Sequence, residues 1–268
     1  MNENPRCDVS IVVPVRSEAG SVGPLAREIE DAFRSTRWTW ECLWVDDGSR
    51  DGTLSTLKEL HRREPRHRFI SLERNCGQSA ALAVGWTRAS GLVLATLDGD
   101  LQNDPADLPR MLEELEHSSV DMVQGVRVHR QDGGVRRFIS RLANGFRNRV
   151  TGVSIADAGC ATRVFYRECI DGIPVFGGMH RFLPTLVEVR GYHVRETPVG
   201  HRRRPHGRSR YGVHDRVWVG ILDTLWVAWF RRRRAQAAVA VDSDLMDLLV
   251  PPADSHPSGS ERERVESR

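Results

Sequence analysis

Between Asp8 and Val126 short apolar runs alternate with stretches of helical periodicity, and that rhythm restricts the chain to very few folds. The runs lie at Asp8 to Val15, Trp38 to Val45, Arg68 to Leu72, Leu92 to Leu97 and Asp121 to Val126. They are short, and most are apolar throughout, as strands buried on both faces are. Val22, Leu25, Ala26, Ile29 and Phe33 recur at helical spacing behind Ser21, a residue suited to cap a helix. Further helices are expected from Asp51 to Arg63, Ser79 to Ala89 and Pro105 to His117. The alternation predicts an α/β fold with a mostly parallel central sheet flanked by helices. Pro14, which has no N–H to donate, is expected to end the first strand's ladder.

The runs stop on polar residues. Arg16 to Glu18, Asp46-Asp47-Gly48-Ser49, Asn75 to Gln78 and Asp98 to Gln102 all fall at carboxyl ends of strands, where open α/β sheets hold ligands. Asp98 and Asp100, with the Gln102 amide, are hard oxygen ligands for Mg²⁺ or Mn²⁺, which would also bind substrate phosphates. An Asp-x-Asp pair can equally cap the helix that follows it. Pro14 to Gly20 contains neither Gly-x-Gly-x-x-Gly nor Gly-Lys-Ser/Thr, which excludes a dinucleotide fingerprint or a phosphate-binding loop at this turn.

With 268 residues and 40% apolar content, the chain can bury one sizeable core. The expected organisation is a flexible leader at 1–7, a catalytic domain at 8–210, an amphipathic helix at 211–234 and a mostly disordered tail at 235–268. The net charge of +3 conceals basic stretches from Arg127 to Arg149 and from Arg202 to Arg234, which imply phosphate or anionic-surface partners. No aromatic-interleaved nucleic-acid module accompanies them. The five scattered cysteines and the lack of a signal peptide suit a reducing, cytoplasmic location. No apolar run approaches the roughly 20 residues of a transmembrane span. Trp218, Ile221, Leu222, Leu225, Trp226 and Trp229 share one helical face ahead of Arg231 to Arg234, as suits either a core helix or the headgroup region of an anionic leaflet. His180 and His201 lack the Ser or Cys with an orienting acid that nucleophilic catalysis needs, and are expected to be ordinary histidines.

Taken together, Ser10 to Val15, Val45 to Thr53, Arg74 to Gln78 and Leu97 to Pro105 resemble family 2 glycosyltransferases of the GT-A (Rossmann-like) fold. Val126-Arg127, Asp157 to Cys160 and His206 to Tyr211 extend the resemblance to the polyprenyl-phosphate group, which includes dolichol-phosphate mannose synthase, GtrB-type glucosyltransferases and ArnC-type aminoarabinose transferases. The resemblance covers about residues 8 to 230 and differs from the bacterial members in carrying no transmembrane helices after the catalytic region. It implies an inverting, metal-dependent transferase that uses a nucleotide sugar, UDP-linked rather than GDP-linked, and a polyprenyl phosphate at the inner membrane face. The alternative is a soluble family 2 enzyme with a saccharide or small-molecule acceptor. Homo-oligomers and membrane-protein partners stay open.

The resemblance assigns Pro14, Val15, Glu18, Asp46, Asp47, Gln78, Asp98, Gly99 and Asp100 to nucleotide-sugar binding, and Asp100 with Gln102 to Mg²⁺ or Mn²⁺. Asp46 and Asp47 could instead only shape a turn with Gly48, and Gln78 could cap a helix. Asp98 and Asp157 are the expected catalytic carboxylates, Asp157 as acceptor-orienting group or base. An anionic acceptor approaching a diphosphate needs cationic screening, which guanidinium supplies bidentately. The expected sources are Arg127, then Arg136, Arg137 and Arg141 on a helix from Gly134 to Val150, then Arg202, Arg203, Ser209 and Arg210 in a loop able to close over the site.

Overall fold

The computed structural model describes residues 7–128, 144–202 and 213–233. The amino-terminal part follows the expected alternation: β1 (Val9–Val15), α1 (Ala19–Phe33), β2 (Trp40–Asp46), α2 (Thr53–Arg63), β3 (His67–Ser71), α3 (Gln78–Arg88), β4 (Val93–Thr96), α4 (Asp107–His117) and β5 (Met122–Arg127). A helical segment at 144–151 precedes β6 (Arg163–Tyr166), α5 (Met179–Val189), β7 (Val194–Val199) and α6 (Val213–Arg233). The seven strands run in the order β3-β2-β1-β4-β6-β5-β7. β1 to β4 are mutually parallel and β5 is parallel to β7, while β6 lies antiparallel between β4 and β5.

Strand periodicity divides the core between the two faces of the sheet. Val9, Ile11, Val13 and Val15 pack with α1 and α4 residues such as Leu25, Ile29, Leu108 and Met111. Val12, Leu43, Val45 and Leu94 pack on the other face with Leu82 and Trp86 of α3 and Phe182 and Leu186 of α5. The small residues of α3 let it approach closely, since a Cβ on Gly85 would lie 2.4 Å from Val12 Cγ1.

Pro14 does not end β1. Pairing with β2 continues through Pro14↔Val45 to Val15↔Asp46. Val12 accepts a bond from Leu97 on the β4 side and Val15 from Asp47 on the β2 side, so alternation turns the Pro14 nitrogen towards β4. Pairing with β4 has already stopped at Val12, and no donor is needed there. Helix α1 begins two residues before the expected cap: Ser21 is buried, and its hydroxyl donates to Glu18 Oε2 at 3.1 Å.

At the opposite, amino-terminal end of the strands, Glu41 collects the Ser10 hydroxyl (2.7 Å), the Ser90 amide (2.6 Å) and the Arg68 guanidinium (2.6 Å). Burial pushes its carboxyl up, but these hydrogen bonds and the Arg68 charge outweigh it and hold the group below its ordinary range.

In α6 the apolar residues divide differently from the single face expected. Val227 and Ala228 are buried, and Trp226 stacks on Phe230 at 5.4 Å while leaning on Phe176 at 4.8 Å. Leu222, Leu225 and Trp229 face outward, 64%, 49% and 55% exposed. The Trp218 side chain lies outside the described residues. Among those residues no helix is long and apolar enough to cross a membrane.

Candidate active site

The carboxyl ends of β1, β2 and β4 converge on one crevice. After β1 the chain turns at Ser17 (φ 54°), whose amide donates to Ser49 Oγ at 2.8 Å, and the Glu18 amide donates to Thr53 Oγ1 at 3.0 Å. Asp46, 1% exposed, accepts the Ser49 amide on Oδ1 (3.0 Å) and the Ser71 hydroxyl on Oδ2 (3.2 Å). Asp47 accepts the amides of Cys76 (2.6 Å) and Gly77 (3.0 Å). These carboxylates therefore organise the loops after β2 and β3. Gly48, at φ 64°, lets those loops meet, because a Cβ there would lie 2.6 Å from the Arg74 carbonyl carbon.

Asp98 and Asp100 do not cap α4. That helix starts at Asp107, and the local turn is closed by Asp104, which accepts the Ala106 amide at 3.1 Å. Asp98 instead accepts the Gln78 side-chain amide at 2.7 Å, and its own amide donates to Asn103 Oδ1 at 3.1 Å. Gln78 opens α3 without capping it. Burial first, and the Asp100 charge second, push the Asp98 carboxyl up to about 6 against the pull of Arg163, Arg127 and the Gln78 bond. Leu101 adopts φ 65°, and the Gln102 amide donates to Asp100 Oδ1 at 3.1 Å. This non-glycine left-handed residue marks strain of the kind stored at ligand-binding turns. Among the described residues no three His, Cys, Asp or Glu side chains form a ready-made metal centre. The acidic turn still suits a hard cation that takes one or two protein oxygens and completes its shell with phosphates and water.

The opposite wall is the loop 155–162 before β6. Asp157, 4% exposed, is held bidentately by Arg127: Nε to Oδ2 and Nη2 to Oδ1, both 2.8 Å. Glu196 of β7 accepts the amides of Ala156 (2.9 Å) and Asp157 (3.3 Å). Arg147 Nη2 donates to the Ile155 carbonyl at 2.7 Å. From beneath, Gln124 Nε2 donates to the carbonyls of Asp157 and Cys160. Arg127 and Asp157 were expected on the acceptor side; the structure joins them to each other.

The expected arginines fare differently. Arg202 ion-pairs with Glu28 (2.9 Å) and Asp104 (2.6 Å), while its amide donates to the Gln102 carbonyl at 2.8 Å, strapping the chain after β7 to the acidic turn. The bridge between Asn103 and His201 belongs to the same strap. Arg136, Arg137, Arg141, Arg203, Ser209 and Arg210 lie outside the described residues.

Three residues not anticipated from sequence border the site. Arg163 begins β6, Gln124 sits in β5, and His180 in the first turn of α5 bonds through Nδ1 to the Ser79 hydroxyl at 2.9 Å. The Ser partner that the sequence did not reveal lies 101 residues away. A cavity of about 170 Å³ opens between Pro14, Gln78, Asp98, Arg163 and His180.

This crevice, with its acidic turn facing an arginine-held carboxylate over a Rossmann-like sheet, has the architecture of GT-A glycosyltransferases. Crystalline glucosyl-3-phosphoglycerate synthase from Mycobacterium tuberculosis, solved with Mn²⁺, UDP and glucosyl-3-phosphoglycerate, superposes with TM-score 0.63 over 88% of this chain and 84% of that one, at 16% identity. That likeness shows the fold. The family described as "Glycosyl transferase family 2" matches residues 10–173, and the chain belongs to it.

Among curated relatives, the dodecaprenyl-phosphate galacturonate synthase of Rhizobium johnstonii is 41% identical over 85% of this chain and 69% of its own length. An undecaprenyl-phosphate 4-deoxy-4-formamido-L-arabinose transferase of Pseudomonas fluorescens is 40% identical over 76% of this chain. The chain spans 60% of the length of that second relative.

Proposed function

We propose that this glycosyltransferase moves a sugar from a nucleotide donor, a UDP-sugar rather than a GDP-sugar, to a polyprenyl phosphate at the cytoplasmic membrane face. The observation that carries the reading is the juxtaposition at Asp98. The Gln78 amide holds its carboxylate at 2.7 Å, while Arg127, bound to Asp157, is near enough to draw its pKa down. Donor chemistry and acceptor chemistry thus share one crevice. The acceptor is inferred from the two relatives named for dodecaprenyl and undecaprenyl phosphate.

The reaction is an inverting single displacement. An oxygen of the acceptor phosphate, ionised near neutral pH, attacks the anomeric carbon and forms the new C–O bond. The bond from that carbon to the nucleotide diphosphate breaks, and its electron pair leaves on the diphosphate oxygen. Little general-base help is required of Asp157, whose two oxygens engage Arg127. Asp157 instead sets the direction of that guanidinium, which screens the acceptor phosphate from the diphosphate. Asp46 and Asp47 shape the nucleoside pocket through the loops they tie.

Asp100 and Gln102 would hold Mg²⁺ or Mn²⁺, and the neighbour solved with Mn²⁺ and UDP supports that choice. When bound, the ion supplies Lewis-acid stabilisation of the leaving diphosphate. Leu222, Leu225 and Trp229, followed by Arg231 to Arg233, suit a peripheral hold on an anionic leaflet. The test is incubation with undecaprenyl phosphate, Mn²⁺ and a panel of nucleotide sugars. A lipid-linked product supports the reading; transfer only to water or to small acceptors sinks the lipid assignment.

A further inference from the structure

The cavity beside Asp98 is small and cationic. Its volume of about 170 Å³ falls below the roughly 300 Å³ at which pockets for drug-sized ligands begin, so it suits one sugar ring and not a whole nucleotide. Arg163, which lines it, is 2% exposed, and all three of its hydrogen bonds go to neutral oxygens. They are Gln124 Oε1 (2.6 Å), the His180 carbonyl (2.6 Å) and the Ala158 carbonyl (3.1 Å). Among the described residues no carboxylate reaches ion-pair distance of this guanidinium. A buried cation without a contacting counter-charge is expensive, and Asp98 and Asp157 act on it only from further away.

A second guanidinium, Arg181, lines the same cavity from the first turn of α5, beside His180, whose ring is fixed by Ser79. Against these stands one carboxylate, Asp98, already met by Gln78. The lining therefore carries an excess of positive charge where a donor sugar would sit.

We propose that this cavity is the donor-sugar subsite and that it selects a sugar bearing a carboxylate, a hexuronate, over its neutral counterpart. The inference rests on the glycosyltransferase reading above and deepens it. Arg181 and His180 read the carboxylate, since guanidinium matches it bidentately, and Arg163 supplies a fixed positive field from the cavity floor. Transfer at the anomeric carbon proceeds as already described. The two relatives divide on this point, one being named for galacturonate and the other for a formamido-arabinose. The charge of this cavity sides with the former.

The experiment compares kcat/KM for UDP-galacturonate with UDP-galactose, and for UDP-glucuronate with UDP-glucose, using undecaprenyl phosphate and Mn²⁺. At least one uronate is expected to exceed its neutral partner by tenfold or more. R181Q, at an exposed position, should lower that ratio at least tenfold with an unchanged circular-dichroism spectrum, and H180Q should lower it less. Neutral donors used as well as uronates would overturn the proposal while leaving the transferase reading intact. So would R181Q lowering both donors in equal proportion, or raising the KM for the lipid phosphate with the donor ratio unchanged. No transfer from any donor would overturn both readings.

Discussion

Arg127 and Asp157 meet through two parallel bonds of 2.8 Å, thirty residues apart in sequence, with the carboxylate almost fully buried. Groups bound in this way act as a unit, so their contributions cannot be added. R127Q and D157N should each lower kcat/KM by about 100-fold or more, and the double variant should be little worse than either. Steady-state kinetics on the three proteins give the cycle. Multiplicative losses would mean that the two residues serve separate steps.

Glu41 makes stability depend on acid. Its folded pKa lies below the ordinary value of 4.5, so its contribution is complete above that value and is lost as the pH falls through the folded pKa. E41Q should cost about 2–3 kcal/mol at pH 7, because three donors lose a charged acceptor in a buried site. It should also flatten the decline of stability below about pH 4.5. Urea unfolding at pH 7 and pH 3.5 measures both. An equal penalty at the two pH values would contradict this account.

The amino-terminal half of the fold was legible because its strands are buried on both faces. Their apolar runs, and the heptad-like spacing of Val22, Leu25, Ile29 and Phe33, leave little choice of element. The later elements carry no such signal. β6 has four residues and opens on the buried Arg163, while β7 reads Val-Arg-Glu-Thr-Pro-Val at the sheet edge, where only Thr197 and Val199 are well covered. α5 contains Pro184. In the site, the acidic turn announced itself as a local motif. The partners of Asp98, Asp157 and His180 did not, since Gln78, Arg127 and Ser79 reach them across 20, 30 and 101 residues. Arg202 was expected on the basis of charge, yet nearby Glu28 and Asp104 engage it.

Asp100 gives a prediction for metal removal. The turn through Leu101 presents its carboxylate beside Gln102, and diphosphate charge needs a cation there. Chelation should abolish turnover, with Mn²⁺ or Mg²⁺ restoring it. D100N should lower kcat by about 100-fold or more and make UDP affinity insensitive to Mn²⁺, while thermal unfolding stays within a few degrees of the parent. UDP binding by D100N that still tightens with Mn²⁺ would remove this carboxylate from the metal site.

The outward face of α6 makes the last prediction. Val227, Ala228 and the Trp226–Phe230 stack tie the helix to the core, so Leu222, Leu225 and Trp229 can be changed without loosening it. Insertion of these three into a headgroup region removes apolar surface from water, and Arg232 and Arg233, both exposed, each add about 1 kcal/mol near anionic lipid. The protein should float with phosphatidylglycerol-rich vesicles at low salt and less so at 0.5 M salt, where the Debye length shrinks to about 4 Å. Serine at all three positions should weaken the association about tenfold or more with kcat on a detergent-dispersed acceptor retained. If the parent ignores anionic vesicles, or if the triple variant floats equally well, this face serves some other purpose than holding the enzyme at its lipid substrate.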